Sequence, residues 1–292
     1  MYSNFPNIKN INIITMRDLM RESPLDRSDM WILAEYAFSL MRTQLIAHDD
    51  DPLDMILVDN FLLLQNRRQS GEPIAQIVGV REFFGRSFHI TKDVLIPRPE
   101  TELLVEATLI AIDRINYPYV LDLGTGSGAI AISIAAERQD ARVFGLDCSV
   151  DALAIARYNE DELLGNISSR RPGGRIRWLE SDWYSSLNSG LLFDAIVSNP
   201  PYIAHDDPHL SQGDLRFEPK IALTDYNDGL SAIRLIIEDA HLFLKRGGSL
   251  LIEHGCDQAK TVRTLLATYG FTMIESLIDL ASIERTTSAR LN

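Results

Sequence analysis

The sequence predicts an α/β protein in which a Rossmann-like, doubly wound sheet follows a small helical domain. Three observations lead there. From Tyr117 onward, short apolar runs alternate with helical periodicity, the pattern of a parallel sheet covered on both faces. Ahead of it, residues from about Met16 to Gln65 carry apolar positions at helical spacing. A glycine-rich turn, Asp122-Leu123-Gly124-Thr125-Gly126-Ser127-Gly128, joins the first apolar run of the larger region to its first helix. The expected division is a helical domain over 1–70, a hairpin linker over 71–94 and the sheet domain over 95–292.

Taken in order, residues 1–12 are polar and Asn-rich and read as a frayed tail. Ser28 or Asp29 is expected to cap one helix carrying Trp31, Ile32, Ala34, Tyr36, Phe38, Leu40, Met41 and Leu45. His48-Asp49-Asp50-Asp51-Pro52 interrupts it, and a solvated loop is a simpler reading of that cluster than a metal site. Asp51 and Pro52 then start a helix with Leu53, Ile56, Leu57, Phe61, Leu62 and Leu64 on its core side. Beyond Gly71-Glu72-Pro73, the segments Ile74–Val80 and Ser87–Ile90 read as the strands of a hairpin. Leu95-Ile96-Pro97-Arg98-Pro99-Glu100-Thr101-Glu102 stiffens the chain and launches a helix through about Ile115, with Arg98 and Glu100 favoured as salt-bridge formers over a pocket wall.

In the larger region strands are expected at Val120–Leu123, Arg142–Leu146, Arg175–Leu179, Phe193–Ser198, Ser249–Glu253, Phe271–Leu280 and Ile283–Arg290. The helices between them are Ile130–Glu137, Val150–Leu164, Leu230–Leu244 and Gln258–Tyr269. Lys245-Arg246-Gly247-Gly248 reads as the C-terminal stop of the third of these. Gly165–Gly174, with Arg170 and Arg171, reads as an exposed loop.

Composition narrows the function. A net charge of −13 and a pI near 4.9 argue against a protein that grips nucleic acid by neutralising phosphates, although a local basic patch stays possible. Cys148 and Cys256 are too few for a disulfide framework and lack metal-ligand spacing, so no metal is expected. No signal peptide and no run of about 18 apolar residues is seen, which makes the cytoplasm the default and a membrane role unexpected.

Two motifs carry chemistry. At the end of the Phe193–Ser198 run stands Asn199-Pro200-Pro201-Tyr202, where open α/β sheets place their ligands. Prolines fix φ and remove backbone donors, so this corner offers rigid carbonyls beside the Asn199 side-chain oxygen. Two acceptors of this kind can grip both hydrogens of a planar NH2 group and present its nitrogen to an electrophile. A strand-ending turn is the plain alternative. The second motif is the glycine turn, which lets a ligand press on the backbone at a helix N-terminus and also satisfies a dinucleotide fingerprint through Gly124, Gly126 and Ala129. Asp147, about 20 residues beyond it at the next strand end, suits a ribose diol. Asp182 and Trp183 follow the third strand, where a carboxylate can accept from an exocyclic amine and an indole can pack on a purine. Adenosine is common to NAD and S-adenosylmethionine. The Asn199–Tyr202 corner has no hydride chemistry and favours a methyl donor.

Several segments occur together and in order: Gly71-Glu72-Pro73-Ile74-Ala75, Glu82-Phe83-Phe84, Leu95–Glu102, Asp122–Gly128, Ser181-Asp182-Trp183, Asn199–Tyr202 and Arg216-Phe217-Glu218-Pro219. Together they resemble the bacterial protein-glutamine methyltransferases that modify peptide-chain release factors, over about Gly71 to Arg290. The Asn-Pro-Pro-Tyr motif alone is shared with adenine-amino methyltransferases acting on DNA or RNA, which are the alternative reading. The proline-arginine-proline segment together with Phe-Glu-Pro is more specific. The resemblance implies a class I S-adenosylmethionine-dependent methyltransferase fold, a helical N-terminal domain that docks the substrate, and the glutamine of a Gly-Gly-Gln loop as methyl acceptor. It implies that Gly124, Thr125, Gly126, Ser127, Gly128, Asp147, Trp183 and Asn199 contact the cofactor, with Asp182 added by the residue reading above. Asn199, Pro200, Pro201 and Tyr202 would hold the glutamine, with Asn199 and Pro200 as the catalytic pair. Tyr202 is expected to wall the pocket. Release factors would be the partner and the chain a monomer. Ser288 stands where the family commonly has glycine.

Overall fold

The computed structural model describes residues 14–168 and 171–292. The Asn-rich start and Arg170 lie outside the described residues. The chain divides into two compact units that meet in sequence at Gly79 and Val80. The β-hairpin, expected to be a linker, therefore belongs to the second unit.

The first unit is helical: α1 (Met16–Glu22), α2 (Arg27–Phe38), α3 (Arg42–Ala47), α4 (Met55–Gln69) and α5 (Ile74–Val78). Met16, Leu19, Trp31, Leu33, Phe38, Val58, Phe61 and Leu64 form its core. The single helix expected across 28–45 is two, because Ser39 turns left-handed at φ 51° and ends α2. Asp26 caps α2 by accepting from the Ser28 and Asp29 amides, at 2.9 Å each. Asp54, not Asp51, caps α4, and Pro52 is drawn instead into a bridge with Thr15. Asp49 and Asp50 pair with Arg17, so the acidic loop is a solvated one. No cluster among the described residues could hold a metal ion. Ile74–Val78 is a helix rather than the expected strand. Pro73 sits at its start and Gly79, at φ 77°, closes it, and these end signals outweigh the β-branched content between them.

The second unit opens with the hairpin β1 (Val80–Phe83) and β2 (Arg86–His89). It continues with α6 (Glu102–Ala111), β3 (Tyr119–Leu123), α7 (Ala129–Glu137), β4 (Arg142–Asp147), α8 (Val150–Ser168), β5 (Arg177–Glu180) and β6 (Phe193–Ser198). Next come a short α9 (Lys220–Leu223), α10 (Ser231–Phe243), β7 (Leu244–Glu253), α11 (Ala259–Thr268), β8 (Phe271–Ile278) and β9 (Glu284–Leu291). The seven strands are ordered β5-β4-β3-β6-β7-β9-β8. The first five run parallel, whereas β9 is antiparallel to both β7 and β8. The wholly parallel sheet expected is thus mixed. The short turn between β8 and β9 leaves no room for the crossover that parallel pairing requires.

Strand periodicity explains the burial. Leu121, Leu123, Phe144, Leu146, Ile196, Leu250 and Ile252 join one cluster with Ile233, Ile236, Ile237 and Ala240 of α10, spaced as one helix face. The alternate residues Val120, Val143, Ala195, Val197 and Leu251 are buried as well, so the other face is also covered. Lys245 does not cap α10. It lies in β7 and reaches Asp194 at 2.7 Å, and Gly247 turns at φ 76° where the β6–β7 register shifts.

Gly145 of β4 faces Trp178 across the β4–β5 ladder, and a Cβ there would stand 2.5 Å from the indole Cε3. The indole is held by its own donation to Glu160 at 2.8 Å. Gly145→Ala should therefore cost about 1–3 kcal/mol as an overpacked site. Urea unfolding checks this, and a midpoint equal to wild type would mean that the indole can move aside.

Candidate active site

Strand order reverses at β3, which has β4 on one side and β6 on the other. The C-terminal ends of β3, β4, β5 and β6 meet above this reversal, where open α/β sheets form their crevice. A cavity of about 360 Å³ lies there, lined by Gly124, Gly126, Asp147, Asp182, Trp183 and Asn199 among others. Its size lies within the range of small-molecule sites. Six residues from four separate strand ends, each singled out from sequence, thus come together.

Gly124 and Gly126 take φ values of 70° and 55°, the left-handed region that favours glycine. A side chain on Gly126 would meet nothing within 4 Å, so the backbone and not crowding demands glycine there. Asp147 accepts from the Gly126 amide at 2.8 Å and the Ser149 amide at 2.9 Å, tying the end of β4 to the glycine turn. Burial raises the Asp147 carboxyl above its ordinary range against the pull of these two amides. Ser149 caps α8 by accepting from Ala152, leaving Asp147 free of that task. Trp183, itself left-handed at φ 46°, lies over the turn, its ring 3.9 Å from where a Gly124 Cβ would stand.

Thr125, Ser127 and Gly128, expected beside the cofactor, do not line the cavity. Thr125 is buried and donates to Asp122 at 2.6 Å. Ser127 is buried, and its carbonyl accepts from Asn159 at 2.9 Å. Gly128 begins α7 at φ 81° with Trp178, Ile132 and Ala156 close by. The left-handed glycines turn the main chain toward the cavity and send the intervening side chains into the core.

At the Asn-Pro-Pro-Tyr corner Asn199 and Pro201 line the cavity, whereas Pro200 and Tyr202 do not. Extended backbone sends alternate side chains to opposite sides, so Tyr202, expected to wall the pocket, stands apart from the residues that line this cavity. The Tyr202 ring packs on the core and its hydroxyl lies 3.5 Å from Glu253 Oε1. Burial, with Glu253 nearby, raises its phenol far above the ordinary value. Asn199 Nδ2 donates to the Thr101 hydroxyl at 3.1 Å. From the sequence, Thr101 is only part of the segment that launches α6.

The sequence reading left the stretch after Tyr202 without a role. That stretch supplies Pro219, Ile221 and Tyr226 to the cavity, and Val94 and Leu95 join them from the segment after the hairpin. Short 3-10 turns and the single turn of α9 carry it, too brief for a periodic signal. Its anchor is Glu218, buried, which accepts from the Ile96 amide at 2.9 Å and pairs with Arg98. The two most specific segments of the sequence are therefore bonded to each other, and Arg98 is a salt-bridge former as favoured.

A curated release factor glutamine methyltransferase from Burkholderia pseudomallei is 60% identical over 95% of this chain and 96% of its own length. The chain belongs to the release factor glutamine methyltransferase family. Other members share this likeness: that of Bordetella pertussis is 47% identical over 92% of this chain and 97% of its own, and that of Escherichia coli 40% over 92% and 93%. Family models agree, with a PrmC N-terminal domain over 15–79 and a methyltransferase small domain over 100–213. Among solved structures, a Pyrococcus furiosus methyltransferase covers 77% of this chain and 96% of its own at TM-score 0.50 and 15% identity. A T. thermophilus 16S rRNA methyltransferase in complex with AdoMet and guanosine covers 73% and 50% at TM-score 0.51 and 19% identity. These two likenesses concern the fold, which is that of a class I methyltransferase.

Asp122, beneath the glycine turn, is wholly buried and keeps one oxygen, Oδ1, without a partner among the described residues. Burial pushes its carboxyl up to about 7. The folded state thus holds a proton that the unfolded chain has released, and stability falls as pH rises from about 4 to about 7, by about 1.4 kcal/mol per unit of separation. Asp122→Asn mimics the protonated form and should lose this decline. The Tm difference between variant and wild type should then move in the variant's favour from pH 5 to pH 8. Parallel Tm curves would show that Asp122 does not titrate in this window.

Proposed function

We propose that this chain transfers a methyl group from S-adenosylmethionine to the side-chain amide nitrogen of the glutamine in the Gly-Gly-Gln motif of peptide-chain release factors, as a cytoplasmic monomer. The observation that carries the site assignment is the Asn199–Thr101 hydrogen bond. With its NH2 committed to Thr101, the Asn199 carboxamide keeps Oδ1 as an acceptor at the edge of the cavity.

The residues fit the cofactor. Asp147 suits a ribose diol, Trp183 and its apolar neighbours suit a purine, and the bare Gly124–Gly126 main chain admits close approach. When bound, S-adenosylmethionine supplies a methyl group activated on a sulfonium. The chain supplies orientation. An amide nitrogen is a weak nucleophile because its lone pair is shared with the carbonyl. Asn199 Oδ1 at the cavity edge, and the main-chain carbonyl of Pro200 although Pro200 itself stands outside the lining, would accept its two hydrogens and orient the nitrogen toward the bound cofactor. Positive charge grows on that nitrogen as the bond forms, so the two acceptors stabilise the transition state more than the ground state. The N-methylated amide is strongly acidic until it loses its proton, so no strong base is required.

Incubating the protein with purified release factor and S-adenosylmethionine, then mapping peptides by mass spectrometry, should place one methyl on the Gly-Gly-Gln glutamine. Label found only on an adenine of added DNA or RNA would favour the adenine-amino reading, which the acidic pI and the family both oppose. Asn199→Ala should lower kcat by about 100-fold, the scale of losing one transition-state contact, and cofactor affinity much less. Unchanged turnover would refute the acceptor corner. Asp147→Ala should weaken cofactor binding by about 10- to 100-fold in calorimetry, as loss of a charge-assisted hydrogen bond predicts. Equal affinity would remove Asp147 from the site.

A further inference from the structure

We propose that the far end of the sheet carries a second, separate binding site, which takes the phosphate groups of a small polyphosphate anion. The inference does not rest on the methyl-transfer reading. β3, β4 and β5 begin side by side, with Tyr119 opposite Arg142 and Phe144 opposite Arg177. A cavity of about 370 Å³ lies against these strand starts, lined by Tyr119, Arg142, Phe144, Arg171, Arg175 and Arg177 among others. Arg142 begins β4 and Asp147 ends it, so the length of that strand, about 16 Å, separates this cavity from the first.

Four arginines line one cavity in a chain whose net charge is −13. Arg171, expected in an exposed loop, is only 4% exposed. Its Nη1 donates to the Gly174 carbonyl at 2.8 Å and its Nη2 to the Ala141 carbonyl at 2.9 Å. Its Nε has no partner among the described residues. Carbonyls satisfy protons but carry no net charge, and a guanidinium cannot shed its proton to escape burial. Asp140, beside Ala141 in the chain, is engaged by Arg138 at 3.0 Å and by the Tyr117 amide at 2.9 Å. A buried charge of this kind is costly until an opposite charge meets it. Arg142 bonds the Tyr119 hydroxyl, Arg177 lies 5.2 Å over the Phe144 ring, and neither forms an ion pair among the described residues. Only Arg175 does so, with Asp161 and, at 3.7 Å, with Glu160.

The lining points to the class of ligand. Guanidinium forks match phosphate oxygens in pairs, and the volume is that of a small-molecule site. Cations already lie over both aromatic rings. Arg142 stands 5.1 Å and Lys245 5.2 Å from the Tyr119 ring, and Arg177 takes that of Phe144. The cavity therefore reads phosphate groups and offers no platform to a base. A long nucleic acid needs a basic stripe, and the acidic balance of the whole chain opposes one. A compact anion would relieve the mutual repulsion of the arginines and tie the starts of β4 and β5 to residues 171–175.

Calorimetry and thermal melting of the full chain, with tripolyphosphate as the probe, test the idea. Wild type should bind one tripolyphosphate, with equal affinity in the presence and absence of S-adenosylmethionine, and its Tm should rise with probe concentration. Arg142→Gln combined with Arg177→Gln alters two exposed side chains and should weaken binding by about tenfold or more, the scale of losing charge-assisted hydrogen bonds. Should the pair unfold, Arg177→Gln alone breaks only a ring contact and should still weaken binding by about threefold or more. Arg27→Gln, at an exposed site in the helical unit, should bind as wild type does. Uridine triphosphate should match tripolyphosphate, since only phosphates are read. The proposal is overturned by no binding at millimolar probe, by variants of Arg142 and Arg177 that bind as wild type, or by an equal loss in Arg27→Gln. Competition with S-adenosylmethionine, or uridine triphosphate binding far more tightly than the probe, would also overturn it. So would a single-stranded RNA that binds more tightly than the probe and is lost with Arg142 and Arg177. None of these readouts requires glutamine methylation, so either proposal can fail without the other.

Discussion

Parallel pairing of β3 with β4 on one side and β6 on the other brings three strand ends to one level, and the site depends on that register. Leu123 pairs with both Leu146 and Ser198, so the residues just beyond them, Gly124, Asp147 and Asn199, start from a common line. A shift of one residue in either ladder would turn an inward side chain outward and separate the carboxylate from the glycine turn. The large apolar residues of the strands resist such a slip, because each face of the sheet is buried and every displaced side chain would lose its neighbours. Core packing and site geometry are therefore one constraint seen at two depths.

Around this row the structure uses buried polar groups as ties. Asp147 joins β4 to the glycine turn, Glu218 joins the stretch before α9 to the proline-rich segment, and Glu253 lies behind the corner on β6. Each is a carboxylate that burial pushes upward in pKa. Each also accepts hydrogen bonds that offset the loss of water. Acidic residues in the net charge of −13 are thus not all solvent-facing, and several of them shape the crevice.

What was legible in the sequence follows the length of each signal. The Phe193–Ser198 run matched its strand end to end because six consecutive buried residues leave a strong mark. That Asp147, Asp182, Trp183 and Asn199 share one cavity was legible because strand ends are easy to locate once the strands are. Less was visible where short-range rules compete. Ser39 broke a helix with no proline or glycine to announce it, and Ile74–Val78 coiled despite its β-branched residues. Thr101 could not have been linked to Asn199 from sequence, since 98 residues separate them and the bond between them exists only after the sheet forms. Tyr202 stands apart from Asn199 and Pro201 for a simpler reason: alternate side chains of an extended motif diverge, which the motif read as a unit does not show.

Asn159 shows how far such ties extend. Its carboxamide accepts from the His89 amide at 2.7 Å and donates to the carbonyls of His89, at 3.1 Å, and Ser127, at 2.9 Å. One side chain on α8 thereby clamps the rim of the hairpin and the floor of the glycine turn together. Neither can wander without breaking these bonds, one of them fully buried, so the glycine turn is held by its neighbours, and the entropy of ordering it is lost during folding and need not be lost when a ligand binds.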